Sequence, residues 1–159
     1  MIRLARREDL EEIERVYDTA RDFMFAHGNT TQWANGYPWR DLLESDIDKG
    51  ELFVFDDNGK IYGVFAFTAG EDETYKVIEN GEWISDEPYS AIHRVGSDGT
   101  HKGVMKECFD FCRQRCSHLR IDTHEDNYIM QSALTKCGFK KCGVIYVYDG
   151  TPRVAFEIV

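Results

Sequence analysis

The 159-residue sequence predicts one α/β domain, and three stretches carry that reading. Residues 6–26 place Leu10, Ile13, Val16, Tyr17, Ala20 and Met24 at helical spacing, the apolar stripe of an amphipathic helix. Two apolar runs, residues 51–55 and 61–68, flank Asn58-Gly59, the dipeptide that most favours a tight hairpin. Residues 91–112 pass from a short apolar run through a glycine-bearing turn into a second helical pattern.

Residues 1–5 alternate as a first strand, and the helix over 6–26 stops at His27-Gly28-Asn29. Residues 30–39 are a loop holding Trp33, Tyr37 and Trp39 beside Gly36 and Pro38. Three large aromatics there either plug apolar space under the loop or line a small-molecule cleft, with Gln32 as a polar contact. A second helix covers residues 41–49 with Leu42, Leu43 and Ile47 inward. Residues 69–89 show no clear period. Tyr75, Val77 and Ile78 either add to the sheet or open an irregular insertion, over which Trp83 and Ile84 pack.

Residues 91–95 are too few for a helix and are bounded by Gly96, Ser97, Asp98 and Gly99, so they read as a strand. Val104, Cys108, Phe111 and Cys112 then fall at i, i+4, i+7 and i+8 on one helix face. A strand over 119–123 and a short helix over 127–137, opened by Asp126-Asn127, follow. The chain ends in a hairpin of residues 140–148 and 153–159 around Asp149-Gly150-Thr151-Pro152. No repeat, low-complexity tract or linker interrupts residues 1–159.

Composition narrows the function classes. Hydrophobic residues at 42% and charged residues at 30% are ordinary for a globular protein. No apolar run approaches the ~20 residues that span a bilayer, and Met1 is not followed by an apolar signal region. A cytoplasmic protein without a membrane partner is expected. A formal net charge of −10 argues against nucleic acid and suits a cationic acceptor such as an amine, most of the charge being solvated surface. The five cysteines are an odd number, and Cys108, Cys112 and Cys116 stack on one helix face, which reads as free, buried thiols. His101, His118 and His124 lie nearby, but no C-x-x-C pair occurs and no metal is expected.

The strand-to-helix turn through Gly99 and Gly103 either exposes helix-start amides to a phosphate or is an ordinary βα turn. Its residues bear on the choice. His93-x-Val95, a four-residue turn and T-H-K-G-V-M (Thr100 to Met105) resemble the acyl-CoA-binding core of the Gcn5-related N-acetyltransferases (GNAT). Gly103 is kept; Thr100 stands where that family has Arg or Gln, and Met105 where it has Gly or Ala. A second segment, Leu119 to Phe139, is similar to the family's strand, Asn and short helix, with Asn127, Lys136, Gly138 and Phe139 in matching positions. Leu134 stands where many members carry Tyr.

The resemblance implies a GNAT-like fold, a central mixed, mostly antiparallel sheet with helices on both faces. It implies an N-acyltransferase, with acetyl-CoA or another acyl-CoA as donor and an amine of a small molecule or protein as acceptor. His93 and Val95 would meet the pantetheine arm, with the Val95 amide as oxyanion donor. Thr100, His101, Lys102, Gly103, Val104 and Met105 would wrap the pyrophosphate. Asn127 would hold the pantetheine or adenosine end of the donor or simply cap its helix. Gln32, Trp33 and Tyr37 would touch the acceptor. The catalytic acid and base stay unassigned. His93 has the chemistry of a base but a sheet-facing position. Tyr146 and Tyr148 face the cleft or pack, and Glu71, Asp72 and Glu73 read as exposed. The competing readings are a catalytically inactive GNAT-fold module that binds or senses acyl-CoA, and a thiol-based protein using the cysteines. Late-strand pairing would allow a homodimer.

Overall fold

A computed structural model describes residues 1–159. The strands are β1 (Ile2–Leu4), β2 (Leu52–Asp57), β3 (Lys60–Ala69), β4 (Ser90–Ser97), β5 (Leu119–Thr123), β6 (Lys140–Tyr146) and β7 (Pro152–Ile158). The helices are α1 (Leu10–Ala26), α2 (Arg40–Asp48), α3 (Val104–Arg113) and α4 (Tyr128–Lys136). The strands form one seven-stranded sheet in the order β1-β2-β3-β4-β5-β7-β6. Its β4–β5 pairing is parallel, whereas β1–β2, β2–β3, β5–β7 and β6–β7 are antiparallel. The chain divides into two compact units, Met1–Phe67 with His93–Val104 and Thr68–Ile92 with Met105–Val159. No helix is long and apolar enough to cross a membrane.

In the first unit, α1 buries Leu10, Ile13, Val16, Tyr17 and Ala20, the predicted stripe. Its start is tied down by Arg3. The Arg3 guanidinium donates to Asp9 through Nη1 and Nη2, at 2.8 and 3.0 Å, and to Asp56 through Nε at 2.8 Å. Those bonds hold both carboxyls below their ordinary pKa, and their fork geometry adds direction to charge. The β2–β3 hairpin turns at Asn58 and Gly59, both at positive φ (51° and 92°), as a two-residue hairpin requires. Leu52, Val54, Val64 and Ala66 alternate onto the face that packs with α1 and with Leu43 of α2. On the other face Phe55 lies over Gly63. A Cβ at Gly63 would come within 2.7 Å of that ring and 3.3 Å of Val104 at the start of α3. Helical residues therefore meet this part of the sheet on both faces.

The second unit holds the segment without a sequence period, and it is an insertion that adds one bridge to the sheet. A short 3₁₀ turn, Glu73–Tyr75, buries Tyr75, and Glu79 bridges Val144 on β6 through paired backbone bonds of 2.9 and 2.8 Å. Trp83 packs as the sequence suggests, its indole N–H donating to the Tyr75 carbonyl at 2.8 Å, while the Ile84 side chain stays exposed. Beneath lies a charged cluster on β5 and β7, where Arg120 and Glu157 are direct cross-strand partners. Glu157 is fully buried. It accepts from Arg120 Nε at 2.7 Å and from the Ile84 amide, and lies 2.6 Å from His118 Nε2. The Arg120 guanidinium sits 4.1 Å from both the Trp83 and the Tyr89 ring and donates to the Ser85 carbonyl. On α3 the buried aromatic is Phe109, against Phe139; Phe111 is half-buried under the Arg115 guanidinium. All five cysteines are free, Cys108 and Cys112 buried and the other three half-buried.

The insertion reaches β6 at close quarters, because a Cβ on Gly81 would lie 1.8 Å from the Cys142 carbonyl oxygen. Gly81→Ala is therefore expected to destabilise the protein by about 1–3 kcal/mol, the cost of overpacking a fitted contact. It should also accelerate amide exchange at Val144. Urea unfolding with hydrogen exchange checks both; unchanged exchange at Val144 would mean the insertion does not hold that edge.

Candidate active site

Where β4 runs toward α3, the first unit places several little-exposed polar side chains, Asp46, Arg94 and Asp98 among them. Regular pairing of β4 with β5 covers Ser90–Ile92. Two residues on, Arg94 has φ 52°, in the left-handed region that side chains other than glycine enter at a cost of about 1–2 kcal/mol. Partners hold it from both ends. Its carbonyl accepts from the Tyr17 hydroxyl at 2.7 Å. Its guanidinium donates to Asp46 through Nη2 at 2.6 Å and, more weakly, to the Tyr37 hydroxyl through Nη1 at 3.4 Å. The Arg94 and Asp46 side chains are only 13% and 5% exposed, so neither has water to replace the other. Burial opposes the charge on Arg94, but Tyr37, Asp46 and Tyr17 outweigh it and raise its pKa. Arg94 Nε is buried without a partner.

Gly96 follows, pressed against an aromatic pair. Tyr17 and Trp33 meet edge to face at 5.4 Å, and a Cβ at Gly96 would lie 3.0 Å from Tyr17 Cδ1 and 3.4 Å from Trp33. The strand can pass this close because it has no side chain there.

The turn into α3 is organised by Asp98. Its side chain is 2% exposed and accepts from the Thr100 amide (3.0 Å), the Thr100 hydroxyl (2.6 Å) and Arg15 Nη1 (3.2 Å). Burial favours the neutral carboxyl, but the bonds from Thr100 and Arg15 outweigh it and lower the Asp98 pKa. The Asp98 amide donates to the Tyr62 carbonyl at 3.0 Å, and the Gly99 amide to Ser97 Oγ at 3.1 Å. The His101 ring stacks on Tyr62 at 3.7 Å, with Nε2 3.0 Å from Asp57 and Nδ1 2.9 Å from Thr100 Oγ1. Gly103, at φ 78°, turns the chain into α3. A Cβ there would meet nothing within 4 Å, so this glycine serves the backbone angle. The first-turn amides of α3 have no intrahelical acceptor and sit at the positive end of the helix dipole, an arrangement suited to an anion.

The residues named from the sequence fall as follows. Val95, Thr100, His101, Gly103, Val104, Trp33 and Tyr37 all belong to this first-unit region. His93 is half-buried on β4, Lys102 exposed, and Met105 half-buried on the first turn of α3. Trp33 is 4% exposed and joins the core, while Tyr37 packs edge-on against the exposed Trp39 at 5.2 Å. Gln32 accepts from Asn29 Nδ2 at 2.9 Å. In the second unit, Asn127 caps α4, its side chain accepting from the Met130 amide at 3.1 Å, and the Tyr146 hydroxyl donates to Glu79 at 3.0 Å. Sequence reasoning missed Arg15, Tyr17, Asp46, Arg94 and Asp98 as site residues. Asp46 left one trace, a carboxylate three residues after the inward Leu43 on a helix.

No protein-family model and no curated protein matches the chain by sequence. Solved structures do match in shape. A GNAT-family acetyltransferase from Streptococcus agalactiae 2603 superposes with a TM-score of 0.91 and 28% identity, over 100% of this chain and 94% of its own. A provisionally assigned acetyltransferase from Staphylococcus aureus Mu50 gives 0.72 and 26%, over 99% and 97%. A ribosomal-protein-alanine N-acetyltransferase from Brucella melitensis gives 0.60 at 18% identity over 100% and 99%, a likeness of fold.

Replacing Asp98 by Asn removes the charge that gathers the turn and should cost about 1–3 kcal/mol at neutral pH. The folded-state pKa of Asp98 is depressed, so its contribution is complete above the unfolded value near ~3.9 and is lost as pH falls through the folded value. The stability gap between wild type and D98N, from urea unfolding, should therefore close on acidification. A gap unchanged down to about pH 2 would assign the effect to something other than this carboxylate.

Proposed function

We propose, for a chain that belongs by its fold to the Gcn5-related N-acetyltransferase superfamily, that this protein is an acetyltransferase moving an acyl group from acyl-CoA, with acetyl-CoA the first choice, to an amine. The observation that carries the reading is the turn from Asp98 to Gly103 leading straight into α3. It is shaped from within, by Asp98, Thr100 and Arg15. The space around the Cβ positions of Gly99 and Gly103 is open, so the turn has room for a ligand against its backbone. These features fit a pyrophosphate bound by main-chain amides. Thr100, whose hydroxyl points back to Asp98, need not supply the charge of an Arg.

Bound there, acetyl-CoA supplies an activated acyl group. The chain's own residues supply the rest. The Val95 amide is the donor for charge developing on the acyl oxygen. Tyr37 and Gln32, on the loop between α1 and α2, line the acceptor side, and Trp33 backs them from the core. Leu134 is fully buried and has no ionisable proton, so the proton lost by the attacking amine reaches the departing thiolate through another group or through water. That residue also favours the second reading, a domain that holds acyl-CoA without transferring from it.

Titration calorimetry with acetyl-CoA tests the donor site, with binding expected in the range of roughly 1 μM–1 mM usual for enzyme substrates. Gly103→Trp, which forces a bulky side chain onto a left-handed backbone, should weaken it at least about tenfold. Release of CoA thiol with a panel of primary amines then separates transfer from holding. Absence of acetyl-CoA binding by the wild type would end the reading.

A further inference from the structure

Arg94 fills the unspecified position of His93-x-Val95, one residue before the Val95 amide, and its partner Asp46 lies outside every motif in the sequence. Three contacts converge on Arg94: Asp46 of α2 on the guanidinium at 2.6 Å, Tyr37 of the α1–α2 loop at 3.4 Å, and Tyr17 of α1 on the carbonyl at 2.7 Å. They secure the one residue of β4 that departs from strand geometry, at φ 52°. A glycine would adopt this conformation freely; an arginine there needs its partners. Asp46, at 5% side-chain exposure, and Tyr17 are themselves buried and Tyr37 is half-buried, so the pair has little freedom to adopt another arrangement.

We propose that Arg94 is a positioning residue for acyl transfer. Its ion pair with Asp46 fixes the left-handed break in β4 and so the direction in which the Val95 amide is presented. The inference rests on the acyl-CoA reading, because it assigns that amide to the acyl oxygen. Arg94 touches no reacting atom. It acts through the main chain, and it couples the α1–α2 segment, where the acceptor is placed, to the strand where the donor is placed. A change at Asp46, remote in sequence, then alters the presentation of Val95 as a change at Arg94 does.

Removing one member alone would strand a buried charge, so the test pairs Arg94→Gln with Asp46→Asn, which keeps a hydrogen bond and deletes both charges. Arg94→Gly combined with Asp46→Asn, which relaxes the backbone without stranding a charge, serves as the second variant. Without ligand, exchange-detected mass spectrometry of a peptide covering residues 93–97 should show exchange at least about tenfold faster in both variants, with residues 52–66 unchanged. With ligand, the Val95 amide resonance in the wild type should differ between acetyl-CoA and CoA. In both variants that difference should vanish while the Kd for acetyl-CoA stays within about threefold.

Unchanged exchange would overturn the clamp. Faster exchange with the acetyl-dependent difference intact would make the pair purely structural and overturn the positioning role. Failure of the wild type to bind acetyl-CoA would overturn the donor reading and this role together. The ligand-free arm would then still report whether the clamp exists, so the two failures are distinguishable.

Discussion

The contacts between α1, α2 and β4 in the first unit centre on a strand that stops being regular partway along. β4 keeps parallel register with β5 over Ser90–Ile92, and the break comes at Arg94. A single left-handed residue re-aims a strand, much as a bulge does, but outside glycine it is uphill unless its surroundings fix it. That requirement dictates the neighbours. Tyr17 must reach the Arg94 carbonyl, which sets the face of α1, and Asp46 must reach the guanidinium, which sets the face of α2. Gly96 must be bare because Tyr17, committed to Arg94, already fills the space beside the strand.

The same solution recurs at two other sites of little-exposed charge in this acidic chain. Arg3 gathers Asp9 and Asp56, Arg94 takes Asp46, and Arg120 shares Glu157 with His118. Each guanidinium joins elements far apart in sequence and brings a rigid planar array of donors, so the junction has a defined angle as well as an attraction. The cluster around Glu157 also explains how an insertion with little regular structure stays in place. It contributes backbone groups, the Ile84 amide and the Ser85 carbonyl, that complete the hydrogen bonding of charges already buried on β5 and β7.

What could be read from the sequence was what short-range pattern encodes. The α1 stripe, the Asn58-Gly59 hairpin, the strand over 119–123 and the Asn127 cap all follow from a few neighbouring residues. The D-x-T turns belong in that class. Asp72-Glu73-Thr74, Asp98-Gly99-Thr100 and Asp149-Gly150-Thr151 each close the same way, the Thr amide and hydroxyl both donating to the Asp side chain. The insertion could not be read, because its order comes from partners such as Val144 and Glu157, distant along the chain. On α3 the apolar pattern pointed to Phe111, but the buried aromatic is Phe109, which meets Phe139 from far along the chain, and Phe111 is half-buried. Arg94 was the least legible. Nothing local marks a strand arginine as left-handed, and its partner Asp46 lies 48 residues away.

The departures at Thr100 and Met105 carry the strongest consequence for the proposed chemistry. An Arg or Gln in the turn would offer its side chain to the phosphates; Thr100 instead spends both its amide and its hydroxyl on Asp98. The nearby guanidinium of Arg15 is also directed to Asp98 and so serves the shape of the turn, while Lys102 stays exposed. A turn made rigid in that way needs little reorganisation to meet an anion, and pre-organised main-chain amides act there without an Arg or Gln at position 100. Met105, half-buried on the first turn of α3, leaves those amides to the ligand only if its side chain lies back against the protein. On this view the donor site recognises its phosphates by geometry, and the overall charge of −10 is no obstacle to binding them.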